Sequence, residues 1–187
     1  MDSTESIIKG CTEGHKKSQE ELYKTYSRKM YAVCLMYAKD HDTAQDILQE
    51  AFIKVFQNIQ TFMNKGSFEG WVRRIVVNTA LERYRKNHYL YPVSEVADYT
   101  EEASYNDIIS EVHANDLLKI IQELTPQYRM VFNLYAIEGY SHQEISQMLA
   151  ISEGTSKSNL SRARKILQEK VETKFFNNNQ QIQNTAW

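Results

Sequence analysis

Very little in this chain can interrupt a helix. Six glycines and two prolines are spread through 187 residues, while apolar residues return every three or four positions over long stretches. Turn-dense sandwiches and barrels use far more of both punctuating residues, so the pattern predicts an all-α fold. Between Ser18 and Ala38, Leu22, Tyr26, Met30, Val33 and Tyr37 form one apolar stripe. Lys39-Asp40-His41 breaks it. Asp42 reads as the cap of the next helix, with Gln45 at capping-box spacing. Ile47, Leu48, Ala51, Phe52, Val55, Phe56 and Ile59 then face inward. A polar loop from Thr61 to Ser67 precedes a third helix, Phe68 to Asn87.

The composition then changes. Glu95, Asp98, Glu101, Glu102, Asp107 and Glu111 follow one another with no lysine or arginine between Tyr89 and Asn115, and Pro92 stands near the start. This predicts an acidic linker over residues 91–113, joining a helical domain at 1–90 to a second small helical domain at 114–173. In the second, Leu117, Leu118, Ile121 and Leu124 make a short stripe. Thr125-Pro126 is a helix start, with proline at the first helical position. The helix it opens carries Met130, Val131, Leu134, Tyr135 and Ile137 and ends at Glu138-Gly139. Ser141 caps a short helix with Glu144 completing a capping box. Ala150-Ile151-Ser152 makes a tight turn, and a last helix runs from Glu153 to Thr173. Residues 174–187, rich in Asn and Gln, read as a disordered polar tail.

Several classes of function are excluded by composition. The formal net charge is −2, which no uniformly basic nucleic-acid coat would have. Mean hydropathy is −0.57, no apolar run reaches membrane-spanning length, and the acidic N-terminus lacks a hydrophobic signal core. The expectation is a cytoplasmic protein without membrane insertion. Cys11 and Cys34 form no CxxC pair, and His15, His41, His88, His113 and His142 show no ligand spacing. Neither a phosphate-cradling GxxxxGK[ST] loop nor HExxH is present. No metal, cofactor or catalytic residue is expected, and a small nuclease, the enzyme alternative, has nothing to work with.

Three surfaces carry the remaining information. Ile145, Met148 and Leu149 face inward from the short helix after Ser141, and Ser156, Leu160, Ala163 and Leu167 from the helix after the turn. This has the form of a helix-turn-helix. Opposite that stripe, Thr155, Ser158, Arg162 and Lys165 share a face, flanked by Lys157, Ser161 and Arg164. Such a face suits a helix laid in the major groove of duplex DNA, although a solvated basic face alone would look the same. Ser156 stands where an apolar residue would pack better. On the helix from Phe68, one stripe holds Trp71, Arg74, Asn78, Glu82 and Arg85, with Arg73, Arg83 and Lys86 nearby. Aromatic, amide and guanidinium groups together suit unstacked bases, and the loop Asn64-Lys65-Gly66-Ser67 could accept a rotated one. Trp71 reads equally well as a core residue covered by arginine stems. Asp46, Gln49 and Glu50 lie outside the apolar stripe of their helix, which by itself implies no partner.

These pieces together resemble the bacterial sigma factors of the extracytoplasmic-function type. The resemblance runs from about Ser18 to Val171 and is carried by AQDILQEAFIKVFQNI (Ala44–Ile59), FEGWVRRIVVNTALERYRK (Phe68–Lys86) and the run from Leu124 to Leu167. It implies a transcription initiation factor that takes core RNA polymerase to specific promoters. Asp46, Gln49, Glu50 and Phe52 would then dock on the clamp helices of the polymerase largest subunit. Asn64, Lys65, Phe68, Trp71, Arg74, Asn78, Glu82 and Arg85 would read the −10 element as melted single strand. Thr155, Lys157, Ser158, Ser161, Arg162 and Lys165 would read the −35 element as duplex. The acidic linker would thread the positively charged polymerase channels, and an anti-sigma factor is a further partner the resemblance implies. The chain departs from the family pattern at Glu82, commonly aspartate, and at Ser146, Ala150 and Ser156. A stand-alone helix-turn-helix regulator is the alternative, but it leaves the Asp46 and Trp71 surfaces idle.

Overall fold

A computed structural model describes residues 3–63, 66–90 and 114–184. Asn64, Lys65 and the acidic linker expected over 91–113 lie outside the described residues. All regular structure among the described residues is helical, and the chain divides into two compact units, Met1–Tyr91 and Pro92–Trp187. No described helix is long and apolar enough to cross a membrane.

In the first unit α1 spans Ser3–Thr12, α2 Lys16–Tyr37, α3 His41–Asn58 and α4 Phe68–Leu90, with a 3-10 turn at Ile59–Thr61. The core is where α2, α3 and α4 pack on one another. Leu22 and Met30 from α2, Val55 from α3 and Val72, Val76 and Val77 from α4 are almost wholly buried. Cys34 is sealed into the same core, and burial pushes its thiol up to about 12, so it is an inert packing residue.

Two features differ from the sequence reading. The cap of α3 is Asp40, not Asp42: the Asp40 carboxylate accepts the Thr43 N–H at 2.8 Å. Asp42 instead lies in the first turn, where an acid is favourable beside the free N–H groups. Helix α1 was not anticipated at all. Ten residues with few apolar positions form a marginal helix alone, so its order depends on packing against α2 and the 3-10 turn. That crossing is close. A Cβ on Gly10 would lie 2.1 Å from Ser18 Oγ and 2.8 Å from Ser18 Cβ.

In the second unit α5 spans Ala114–Gln122, α6 Pro126–Phe132, α7 His142–Leu149 and α8 Glu153–Asn184. Thr125 stands at the N-cap of α6 with proline following, as expected, although its side chain makes no capping bond. A π-helical turn, Asn133–Ile137, continues α6. The wider turn shifts the phase of the apolar stripe, and Ile137 at its end is 40% exposed. Helix α8 also runs past Thr173 to Asn184, into the segment read as a disordered tail. No glycine or proline follows Gly154, so nothing local stops the helix. Val131, Leu134, Ile145 and Leu167 centre the core. The buried Arg129 closes the preceding turn, its Nη2 donating to the Leu124 carbonyl at 2.9 Å.

Gly10→Ala is expected to lower the stability of the first unit by about 1–2 kcal/mol, the usual cost of overpacking. Urea unfolding checks it, and Ser18→Gly in the same chain should recover most of the loss.

Candidate nucleic-acid interface

The helix-turn-helix forms through backbone chemistry that is local and complete. Ser141 Oγ accepts the Glu144 N–H, while Glu144 Oε2 accepts the Ser141 N–H at 2.8 Å, so the capping box read from the sequence closes. These hydrogen bonds hold the Glu144 carboxyl below its ordinary range. At the other end of α7, Ala150 takes the left-handed conformation, φ 55° and ψ 45°, and the Ile151 N–H reaches back to the Ser146 carbonyl at 3.1 Å. Alanine accepts a strain there that glycine would not feel. Ser152 then caps α8, its Oγ accepting the Thr155 N–H at 2.9 Å.

The first turns of α8 present the predicted basic face. Lys157 and Lys165 are exposed; Thr155, Ser158, Ser161 and Arg162 are half-buried. Thr155 Oγ1 pairs with Ser152 Oγ at 2.8 Å, and Ser158 Oγ donates to the Thr155 carbonyl at 3.1 Å. Both hydroxyls therefore enter any contact already tied to the helix terminus. Ser156, expected to be a packing defect, is fully buried with its Oγ 2.9 Å from His142 Nδ1. The His142 ring stacks on Tyr135 at 4.6 Å, and the Arg164 guanidinium sits 5.6 Å from the centre of the same Tyr135 ring. Ser156, His142, Tyr135 and Arg164 thus join α7, α8 and the π turn. No sequence signal marks this, because the four residues lie on three separate elements.

On α4, Arg74, Asn78, Glu82 and Arg85 are exposed along one face, as their spacing implied. Trp71 lies between core and surface. It is half-buried, stacked on Phe68 at 5.5 Å and tilted against Phe62 at 5.7 Å. Phe68 corrects an expectation: at 6% exposure it is a core residue, edge-on to Tyr26 and Phe62, and supports Trp71 rather than reaching a ligand. Phe62 was missed, since the sequence shows it only as one residue of a polar loop.

Asp46 and Gln49 are exposed on α3 and Glu50 is half-exposed. Phe52 faces inward, as its place in the apolar stripe predicted: it is 3% exposed and edge-on to Tyr23 at 4.7 Å, anchoring α3 to α2, which corrects the docking role that the resemblance implied for it. Exposed instead is Ile53, 57% accessible one turn beyond Gln49. A chain of ion pairs then joins α3 to α4. Arg83 Nη2 lies 3.0 Å from Asp46 Oδ2, and Arg83 Nη1 lies 3.8 Å from Glu50 Oε2. Lys54 Nζ lies 3.1 Å from Glu50 Oε1 and 2.6 Å from Glu82 Oε2. The Glu50–Lys54 spacing is visible in the sequence; the reach to Glu82 is not. Among the described residues no group of three or more His, Cys, Asp or Glu is placed to hold a metal ion.

Residues 22–89 match the family described as Sigma-70 region 2, and residues 114–167 that described as Sigma-70, region 4. The ECF RNA polymerase sigma factor SigW of Bacillus subtilis is 30% identical over 176 residues, covering 88% of this chain and 94% of that protein. The chain belongs to the ECF RNA polymerase sigma factors. SigE of Mycolicibacterium smegmatis is 28% identical over 157 residues; the match takes in 81% of this chain and 61% of that longer relative. A solved sigma factor, RpoE from Bartonella quintana in complex with the anti-sigma factor NepR, is 22% identical, with a TM-score of 0.48 over 80% of this chain and 94% of that one. As an ECF sigma factor the chain is a non-catalytic protein of transcription initiation, directed to promoters through core RNA polymerase. The region 2 match takes in α2 from Leu22, α3 and α4 up to Tyr89, and the region 4 match takes in α5 to α7 with the start of α8, while α1 lies outside both.

The pairing of Ser156 with His142 makes a definite forecast for this sigma factor. Ser156→Val, the change that simple packing would favour, should destabilise the second unit by about 0.5–1.5 kcal/mol, because it removes a hydrogen bond to the half-buried His142 ring. Denaturant unfolding of the full chain measures it.

Proposed function

We propose that this sigma factor reads its promoter in two chemically different states, with one unit assigned to each. The α8 face of Thr155, Lys157, Ser158, Ser161, Arg162 and Lys165 takes the −35 element as duplex. The α4 face of Trp71, Arg74, Asn78, Glu82 and Arg85, with the preceding Asn64–Lys65 loop, takes the −10 element as single strand. The observation carrying this reading is the contrast between the two surfaces. The first is a capped helix opening after a tight turn, its basic side chains ranged as a major groove requires. The second sets a half-buried tryptophan in a line of amide and arginine groups, a surface for stacking on base faces and bonding the pairing edges, both of which duplex DNA keeps occupied.

Asp46, Gln49 and Glu50 form the polymerase-docking surface, and the exposed Ile53 adds apolar area beside them. Clamp helices of the polymerase largest subunit are the partner. The acidic linker at 91–113 runs through polymerase channels lined by positive charge. The site of action is the cytoplasm. An anti-sigma factor is a further partner in this reading.

The deciding experiment is transcription in vitro with core RNA polymerase and a pool of genomic promoter fragments, the transcript starts being sequenced. Starts that share two spaced upstream elements support the reading; core binding with no starts opposes it. Two variants assign the elements. Arg162→Ala should weaken discrimination among −35 variants by about 1–3 kcal/mol, read as relative transcription across a −35 library. Asn78→Ala should leave core binding intact and reduce permanganate reactivity of the −10 thymines, so normal melting in that variant would remove Asn78 from the site.

A further inference from the structure

Glu82 is out of place on a surface for nucleic acid. It projects from the middle of the stripe made by Trp71, Arg74, Asn78 and Arg85, with a side chain about half exposed. A bare carboxylate there would repel phosphates as they approach. It is not bare. Lys54, from the neighbouring helix α3, places its Nζ 2.6 Å from Glu82 Oε2, and the same nitrogen lies 3.1 Å from Glu50 Oε1. Burial alone would lower the pKa of the Lys54 ammonium; the bonds to Glu82 and Glu50 outweigh it and hold the group above ordinary lysine. Lys54 is therefore fully charged and already committed. It touches both a carboxylate of the polymerase-docking surface and the carboxylate of the promoter-melting stripe.

The geometry points to Lys54 as a positioning residue for promoter opening: it cancels the charge of Glu82 and folds that side chain back toward α3, so that single-stranded DNA can lie along α4. This rests on the assignment of the α4 stripe to melted promoter DNA. It needs no contact between Lys54 and DNA. The ammonium is the shorter-range partner in a chain that begins with Asp46 and Arg83, so the stripe is electrically completed by residues of the helix behind it. The arrangement also gives the glutamate at this position a reason. Its longer side chain reaches across the α3–α4 seam to a lysine that is itself only 27% exposed.

A charge role and a mere packing role predict different behaviour in a double-mutant cycle. Holoenzyme is assembled with saturating full-length chain, and opening is followed by permanganate on a genomic promoter fragment from which the unmodified factor starts transcription. Lys54→Met should slow opening by about tenfold at low salt, since an unpaired like charge facing phosphate costs on that order. The deficit should shrink as salt rises and screens the carboxylate. Lys54→Arg should open the promoter nearly as well as the unmodified factor. In a Glu82→Gln background, Lys54→Met should have almost no further effect, because the charge it balances is gone.

Thermal unfolding accompanies each variant to show that the chain remains folded. Opening by Lys54→Met at the original rate overturns the proposal. So does an equal deficit in the Glu82→Gln background, or a deficit wholly accounted for by weaker core binding. If Asn78→Ala melts the same fragment as the unmodified factor does, the assignment of the α4 stripe falls, and the proposal falls with it.

Discussion

An amphipathic helix has one stripe to bury, and every surface of this protein follows from how that stripe is spent. In the first unit α2, α3 and α4 bury theirs against one another, through Leu22, Met30, Val55, Val72, Val76 and Val77. What remains of α3 and α4 is outward-facing by necessity. Asp46, Gln49 and Glu50 therefore share one side of the unit, while Arg74, Asn78, Glu82 and Arg85 line up along a single helix. Neither surface is an addition to the fold. Each is the back of a packed element, which gives it the rigidity that positioned contacts need.

The rim of that packing is where the two outward faces meet. Buried seams exclude charge, so ionic groups collect at their edges, where long side chains can span from helix to helix. Arg83 and Lys54 do this, pairing with Asp46, Glu50 and Glu82 at distances between 2.6 and 3.8 Å. Such pairs add little to stability when they are solvent-exposed. Their consequence here is electrostatic: three carboxylates face two cations, and the charge each outward face shows is set partly by the helix behind it.

The second unit solves a different problem, that of holding two helices at a fixed angle with a very short connection. Ala150 in the left-handed conformation makes the turn, and both flanking termini carry serine caps, Ser141 and Ser152. Around them Ser156, His142, Tyr135 and Arg164 interlock. A buried serine would ordinarily weaken such a core, but a ring nitrogen within hydrogen-bond distance turns it into a connection. The π turn at Asn133–Ile137 brings Tyr135 to that stack and carries Ile137 out to solvent. One local change in helical winding has both effects.

Local chemistry was legible in the sequence: the helical periods, the Thr125-Pro126 start, the Ser141–Glu144 box, the turn at Ala150, and the faces bearing Arg162 on α8 and Asn78 on α4. These depend on residues three or four positions apart, and the chain itself enforces that proximity. Misreadings arose where distant elements decide. Phe68 lies on the correct helix, but whether an aromatic ring is core or surface depends on what packs over it, here Tyr26 and Phe62. Helix α1 has too little periodicity to announce itself and is ordered by α2. The Lys54–Glu82 and Ser156–His142 pairs bridge 28 and 14 residues. The sequence by itself determined which helices form and which faces they present. Only the tertiary structure decided which charges are paired and which rings are buried, because both depend on neighbours that the chain brings together only once it is folded.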